Sequence, residues 1–265
     1  MRKLVLTVLT ATLIFSCKNE NKSDANSDMD EMAVTTDSTA VETEFNITPI
    51  EHATAVFDFG DAVFYIDPVG GAAAFEGQPK PNIILVTDIH GDHLNEETLN
   101  AVADSTTTIY APQAVIDALK TDLKNRVTPI ANDETKSWDD YELTAIPMYN
   151  LREEAKQFHT KGRGNGYVIE KDDMRVYFSG DTEEIPEMRN LKDIDKAFVC
   201  MNLPYTMTVE RAADGVIAFA PKQVYPYHFR GQDGLSDTDK FKSLVDAADI
   251  DTEVIMLDWY PNNAE

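Results

Sequence analysis

Four consecutive apolar residues, Ile83-Ile84-Leu85-Val86, run directly into Thr87-Asp88-Ile89-His90-Gly91-Asp92-His93. An unbroken apolar run of this length reads as a strand buried on both faces. Asp88, His90, Asp92 and His93 therefore fall on the turn just past a strand's carboxyl end. Imidazole nitrogens and carboxylate oxygens held this closely can surround divalent cations. The chain has only five histidines, and a third one, His228, again follows an apolar stretch, Val224–Tyr227. Gly180-Asp181-Thr182 follows another, Arg175–Ser179. Without these later partners, the first turn would read as a polar N-cap before a helix at Asn95.

Further strands are expected at Ala53–Phe59, Ala62–Ile66, Asn82–Val86, Thr107–Ala111, Glu142–Pro147, Gly166–Glu170, Met174–Ser179, Lys196–Met201, Gln223–Tyr227 and Glu253–Leu257. Gly60-Asp61 and Lys171-Asp172-Asp173 are hairpin signals between adjacent runs. Helices are expected at Glu96–Ala103, Pro112–Leu123, Ile185–Leu191, Val209–Ala220 and Asp237–Ala248, with Asn95, Thr208 and Ser236 as N-caps. Strand pairs first, then strands alternating with helices, give an α/β fold with mixed sheets.

The chain opens with Arg2-Lys3, an apolar stretch from Leu4 to Phe15, and Ser16-Cys17. That stretch is too short for a stable transmembrane helix and has the flanks of an export signal. Residues 1–17 are expected to be a lipoprotein signal peptide, with Cys17 the lipidated residue that anchors an exported protein to a membrane. Residues 18–44 are polar and acidic without helical or strand period, a disordered tether. Residues 45–265 then form one domain. Cys200, inside Ala197–Met201, is a core thiol. The formal charge is −24; with −6 on the tether and +2 on the leader, −20 remains on the domain, which argues against a nucleic-acid partner.

From Ile47 to Asp258 the chain resembles the metallo-β-lactamase-fold hydrolases, whose signature is His-x-His-x-Asp-His, a later His, a bridging Asp in a Gly-Asp-Thr-like turn and a final His. His52-Ala53, Asp67-Pro68 and Pro226-Tyr227-His228 make it most similar to the branch with ascorbate-phosphate lactonase and N-acyl phosphatidylethanolamine phospholipase D. The first signature histidine is Asp88 here, and Tyr149-Asn150 stands where the mid-chain histidine is usual, with His159 nine residues on.

The resemblance implies a four-layer αβ/βα sandwich, two mixed β-sheets with helices on the outer faces. It also implies two divalent metal ions, zinc first, with manganese or iron favoured by the harder Asp88 donor. Asp92, His93 and His228 would make one site, Asp88 and His90 most of the other, and Asp181 would bridge them. Asp88 could instead lie behind the ligands or cap a helix. His159 either completes the Asp88/His90 site, serves substrate or acid–base chemistry beside it, or sits in a solvated loop. Lys161 and Arg163 are candidates to hold a substrate anion. His52 and Asp67 would support metal-bound groups, and His52 could equally face the cleft or the core. Asp92 belongs to the catalytic set, with His159, and Tyr205 as an oxyanion donor or a packed capping residue.

The implied function is metal-dependent hydrolysis, a metal-held hydroxide cleaving a lactone, ester or phosphodiester in a small molecule. The rival is a non-catalytic metal- or ligand-binding lipoprotein on the same fold, motivated by Asp88 and Tyr149-Asn150.

Overall fold

A computed structural model describes residues 43–261. The leader, Cys17 and the tether up to residue 42 lie outside the described residues. Thr43 and Glu44 already belong to the domain: Thr43 donates to Asp172 at 2.8 Å, and the Glu44 carbonyl accepts from Gly60 N at 2.8 Å.

The first sheet contains β1 (Phe45–Glu51), β2 (Thr54–Phe59), β3 (Ala62–Ile66), β4 (Ile83–Leu85), β5 (Thr108–Ala111) and β6 (Val127–Pro129), in that order. The second is built from β7 (Thr135–Trp138), β8 (Tyr141–Met148), β9 (Gly164–Lys171), β10 (Met174–Phe178), β11 (Lys196–Cys200) and β12 (Gln223–Tyr227). A small hairpin, β13 (Arg230–Gly231) with β14 (Gly234–Leu235), stands apart, and β15 (Glu253–Val254) completes the second sheet, ordered β15-β12-β11-β10-β9-β8-β7. Strands β3 to β6 run parallel, as do β10, β11, β12 and β15, while the remaining neighbours are antiparallel. Both sheets are therefore mixed, as expected.

The period of two decides which face each side chain serves. In β2, Ala55, Phe57 and Phe59 enter the core shared with the second sheet, while Val56 packs on the other side. In β4, Ile83 and Leu85 face inward and Ile84 outward, against Leu99 and Val115. A ladder of stacked rings joins the two sheets: Phe64 on Phe57 at 5.0 Å, Phe57 on Phe178 at 5.0 Å, Phe178 on Phe198 at 4.3 Å. Each such ring is worth roughly 1.5–3 kcal/mol of burial.

The helices lie outside: α1 (Glu96–Val102) and α2 (Gln113–Ala118) cover the first sheet, and α3 (Pro186–Arg189), α4 (Val209–Phe219) and α5 (Thr238–Asp246) the second. Together they make the αβ/βα sandwich. Asn95 and Thr208 cap α1 and α4 through Thr98 N and Arg211 N. The cap of α5 is Asp237, not Ser236, whose hydroxyl goes to the Met201 carbonyl. The helix expected over Pro112–Leu123 stops at Ala118, because the Glu96 carboxylate takes the Lys120 and Thr121 amides at 3.1 and 2.7 Å. A short 3-10 turn, Asp122–Asn125, follows.

Five strands have no counterpart in the expected set, among them β13 and β14, which have two residues each. β1 contains Pro49, which only an edge tolerates; β6 has three residues; β7 reads Thr-Lys-Ser-Trp, without apolar alternation.

Candidate metal centre

Apart from His159, which the loop between β8 and β9 carries, the histidines and acids of interest lie where strands end, on one rim of the two sheets. Asp67 follows β3, Asp88 to His93 follow β4, Asp181 follows β10, Asn202 follows β11 and His228 follows β12. His52 sits in the tight turn between β1 and β2. His52, Asp67 and His228 have φ of 59°, 44° and 47°. Left-handed backbone at a non-glycine residue costs about 1–3 kcal/mol and persists where the surroundings hold it. Gly180 also has positive φ, and a Cβ there would meet Met148 Sδ at 2.5 Å. Glycine lets the chain bring Asp181 into this position without strain or displacement of Met148.

The donors form two clusters that share Asp181. In the first, His93 Nε2 lies 3.4 Å from Asp181 Oδ2, and His228 Nε2 lies 3.1 Å from Asp181 Oδ1 and 3.5 Å from Asp92 Oδ2. The two imidazole Nε2 atoms are only 3.1 Å apart. In the second, His90 Nδ1 is 2.8 Å from Asp88 Oδ2, while His159 Nε2 is 3.8 Å from Asp88 Oδ2 and 3.2 Å from Asp181 Oδ2. Two donors bound tetrahedrally to one cation at about 2.0–2.2 Å lie about 3.3–3.6 Å apart. Most of these separations sit near that spacing. His159 Nε2 and Asp181 Oδ1 are buried without a hydrogen-bond partner, which a protein interior rarely tolerates unless something else binds there. The donor set thus fits divalent cations.

The surroundings orient these groups. Asp67, fully buried, accepts from Thr87 N at 2.7 Å and Thr87 Oγ1 at 2.6 Å, and its Oδ2 lies 2.7 Å from His93 Nδ1. With its proton on Nδ1, His93 presents the Nε2 lone pair to the cluster. His159 Nδ1 lies 3.1 Å from the Tyr205 carbonyl, which frees His159 Nε2 in the same way. Asn150 turns its amide nitrogen to the Ala155 and Tyr205 carbonyls at 2.9 and 2.6 Å, bracing the loop that carries His159, while its Oδ1 is buried without a hydrogen-bond partner. His52 Nε2 is 3.3 Å from Asp92 Oδ2, and its Nδ1 is 2.8 Å from the Tyr260 hydroxyl.

Charge within the site is strongly coupled. Burial would raise Asp181, but His228, His93 and His159 outweigh it and hold the carboxyl well below its usual range. Burial would lower His93, and the Asp181 and Asp67 carboxylates overcome that to hold it well above its own. A cation displacing those protons takes over their role of balancing Asp181. Burial pushes the Cys200 thiol up to about 12, and its Sγ donates to the Thr182 carbonyl at 3.4 Å, which suits a core thiol.

Lys161 and Arg163 have partners of their own. Arg163 grips Asp88 with two bonds, Nε to Oδ1 at 3.0 Å and Nη2 to Oδ2 at 2.8 Å, and also donates to the Phe158 carbonyl. The Lys161 ammonium sits on Glu187 at 2.7 Å and against the Tyr149 ring. Tyr205 lines a cavity of about 280 Å³ with His90, Phe158, His159 and Asp181.

Four contributors escaped the sequence reading. Buried Glu183 accepts from Leu151 N at 2.9 Å, Arg152 N at 3.0 Å and the Arg152 guanidinium, which in turn donates to the Pro204 and Thr206 carbonyls. This pair ties the loops carrying His159 and Tyr205 to the Asp181 turn. Arg230 and Tyr260 border the His52 side. Glu183 and Arg230 lie two residues from Asp181 and His228, a proximity that could have drawn notice, but their partners are distant in the chain.

Two packed mixed sheets with His and Asp clusters at one rim define a metal-dependent hydrolase of the metallo-β-lactamase fold. The chain belongs to the beta-lactamase superfamily domain family, whose sequence model matches residues 55–229. It is 27% identical over 210 residues to a UPF0173 metal-dependent hydrolase of Pyrococcus furiosus, spanning 75% of this chain and 91% of the relative. The crystal structure of a candidate metal-dependent hydrolase from Parabacteroides distasonis is similar with TM-score 0.71 and 35% identity, covering 80% of this chain and 93% of that one. Igni18, a metallo hydrolase from Ignicoccus hospitalis, shares the fold at TM-score 0.66 and 19% identity, over 80% and 94% of the two chains.

Proposed function

We propose that this hydrolase cleaves a lactone, ester or phosphodiester of a small molecule at two divalent cations. One would be held by Asp92, His93, His228 and Asp181, the other by Asp88, His90, His159 and Asp181. The observation that carries this reading is the pair of buried atoms without a hydrogen bond, His159 Nε2 and Asp181 Oδ1, drawn together with the other donors beside the cavity that Tyr205 lines. When bound, the cations supply an acidified water and Lewis acidity at the scissile bond. The protein's own part is placement. Asp67 and the Tyr205 carbonyl set the His93 and His159 tautomers, His52 steadies Asp92, and the Arg152–Glu183 pair holds both cavity loops against the Asp181 turn. The Tyr205 side chain, which lines that cavity, is our candidate to donate to a developing oxyanion.

The His52, Asp67 and Pro226-Tyr227-His228 features favour a lactonase- or phosphodiesterase-like substrate over a β-lactam. Zinc is the first candidate metal, with manganese and iron next. Metal analysis and hydrolysis profiling of the full chain, across lactones, esters, phosphodiesters and β-lactams with each metal, test the reading. About two metal equivalents with turnover are expected. About one equivalent and no turnover would favour the non-catalytic metal-binding alternative instead.

The exported, membrane-anchored placement is likewise our proposal, resting on the Arg2-Lys3, Leu4–Phe15 and Ser16-Cys17 pattern. Cys17→Ala should leave the protein unprocessed or move it out of the membrane fraction. A mutant that is processed and fractionates like the parent would sink the lipoprotein assignment.

A further inference from the structure

A second cavity of about 280 Å³ shares Asp92 with the one that Tyr205 lines and is bordered by Glu51, His52, Gly70 and Arg230. It touches the metal cluster through Asp92 and His52 and reaches solvent past Glu51. We propose that this second cavity is a substrate subsite for an anionic oxyacid group, a carboxylate or a phosphate, held by the Arg230 guanidinium. The proposal rests on the metal-hydrolase reading above and adds to it the charge of the substrate.

The other cations near the centre are committed to buried or structural partners. Arg163 is spent on buried Asp88, Arg152 on buried Glu183, and Lys161 on Glu187 and Tyr149. Arg230 is different. Its only ion pair among the described residues is with Glu51 at 3.6 Å, between side chains that are 33% and 64% exposed. Such long, water-accessible pairs are weak and easily displaced. Its Nη2 has no hydrogen-bond partner at all. A guanidinium carries five donors in a planar fork suited to a carboxylate or phosphate, and the buried Nη2 of this one is unpaired.

Arg230 is nevertheless held firmly in place. Its guanidinium stacks on the Tyr260 ring at 4.2 Å, and its backbone N–H donates to the Tyr260 hydroxyl at 3.1 Å. That hydroxyl also contacts His52 Nδ1, and His52 Nε2 faces Asp92. The β13–β14 hairpin is pinned from behind: Gln232 N donates to the Leu203 carbonyl at 2.9 Å, and a Cβ on Gly231 would come within 2.0 Å of that same oxygen. A cation fixed by stacking, at a metal-adjacent cavity, in a domain of charge −20, is an arrangement suited to binding an anion rather than to stability. Glu51 then acts as a placeholder that an incoming oxyacid replaces.

The test uses the full-length holoprotein and three hydroxamates that bind metal through the same head: acetohydroxamate, succinate monohydroxamate and a phosphonate-armed analogue of equal length. The parent should bind one or both armed probes about tenfold or more tighter than acetohydroxamate, given the usual strength of a charge-assisted pair. The more favoured arm identifies the oxyacid. Arg230→Met should bring that ratio to about one while acetohydroxamate affinity and metal content stay as in the parent, and Arg230→Lys should recover part of it, as a point charge without the fork. Equal binding of all three probes by a fully metallated parent overturns the subsite alone, and so does a preference that survives in Arg230→Met. A parent that holds no metal and binds no acetohydroxamate overturns the hydrolase reading, and the subsite falls with it.

Discussion

Asp181→Ala is expected to abolish hydrolysis and to leave the protein unable to hold two metal ions. Asp181 is the one residue whose two oxygens serve both clusters, Oδ1 toward His228 and Oδ2 toward His93 and His159. An imidazole cannot bridge in this way, because it offers a single lone pair to the site. Without the carboxylate, two cations would face each other with no shared anion, and His93, His228 and His159 would lose the charge that now balances them. We expect turnover to fall by at least about a thousandfold, roughly 4 kcal/mol at the transition state. Asp67→Asn, which removes the carboxylate that orients His93 and takes the Thr87 bonds, should cost about 10–100-fold. Metal analysis of purified Asp181→Ala checks the claim directly: full two-metal occupancy in that protein would remove Asp181 from its bridging position.

Asp88→His is expected to damage the centre, and Arg163 is the reason. By sequence alone the change restores the common signature and should move metal preference toward zinc. In the structure, Asp88 is fully buried and both of its oxygens are engaged by Arg163, whose Nη2 also lies 3.5 Å from His90 Nε2. A carboxylate carrying a guanidinium is close to a neutral ligand, as imidazole is. Introducing the imidazole while keeping Arg163 would leave a mostly buried cation unpaired beside a site meant for another cation. Breaking a buried pair from one side costs about 3 kcal/mol or more, so Asp88→His should lose metal from the His90/His159 cluster and unfold at lower temperature. The double variant Asp88→His with Arg163→Gln should recover the metal and shift the competition toward zinc. Zinc–manganese competition and thermal melts on parent, single and double variants decide it. A single variant with full metal content and parental stability, not improved by the second change, would show that Arg163 does not compensate Asp88.

The parts of the centre that were legible in the sequence are those defined by local chemistry. Ile83 to Val86 must be buried, so Asp88, His90, Asp92 and His93 had to emerge at a strand end, and the same reasoning placed Asp181 and His228. The sequence leaves His159 between three roles, because nothing local shows that the Asn150–His159 loop folds back, with Asn150 N meeting the His159 carbonyl at 2.9 Å. The edge strands β1 and β7 were missed for a related reason. Half-exposed strands lack the apolar alternation that marks central ones, and their pairing is decided by a neighbour.

What the sequence determined by itself is where the chain ends its strands and which donors stand there, since burial period and turn chemistry act over a few residues. Only the tertiary structure decided how the charges pair. Arg163 meets Asp88 across 75 positions, Arg152 meets Glu183 across 31, and Tyr260 meets His52 across 208. Two packed sheets bring these segments to one rim, where low dielectric makes each pairing strong enough to commit one cation to structure and leave another, Arg230, open to a ligand.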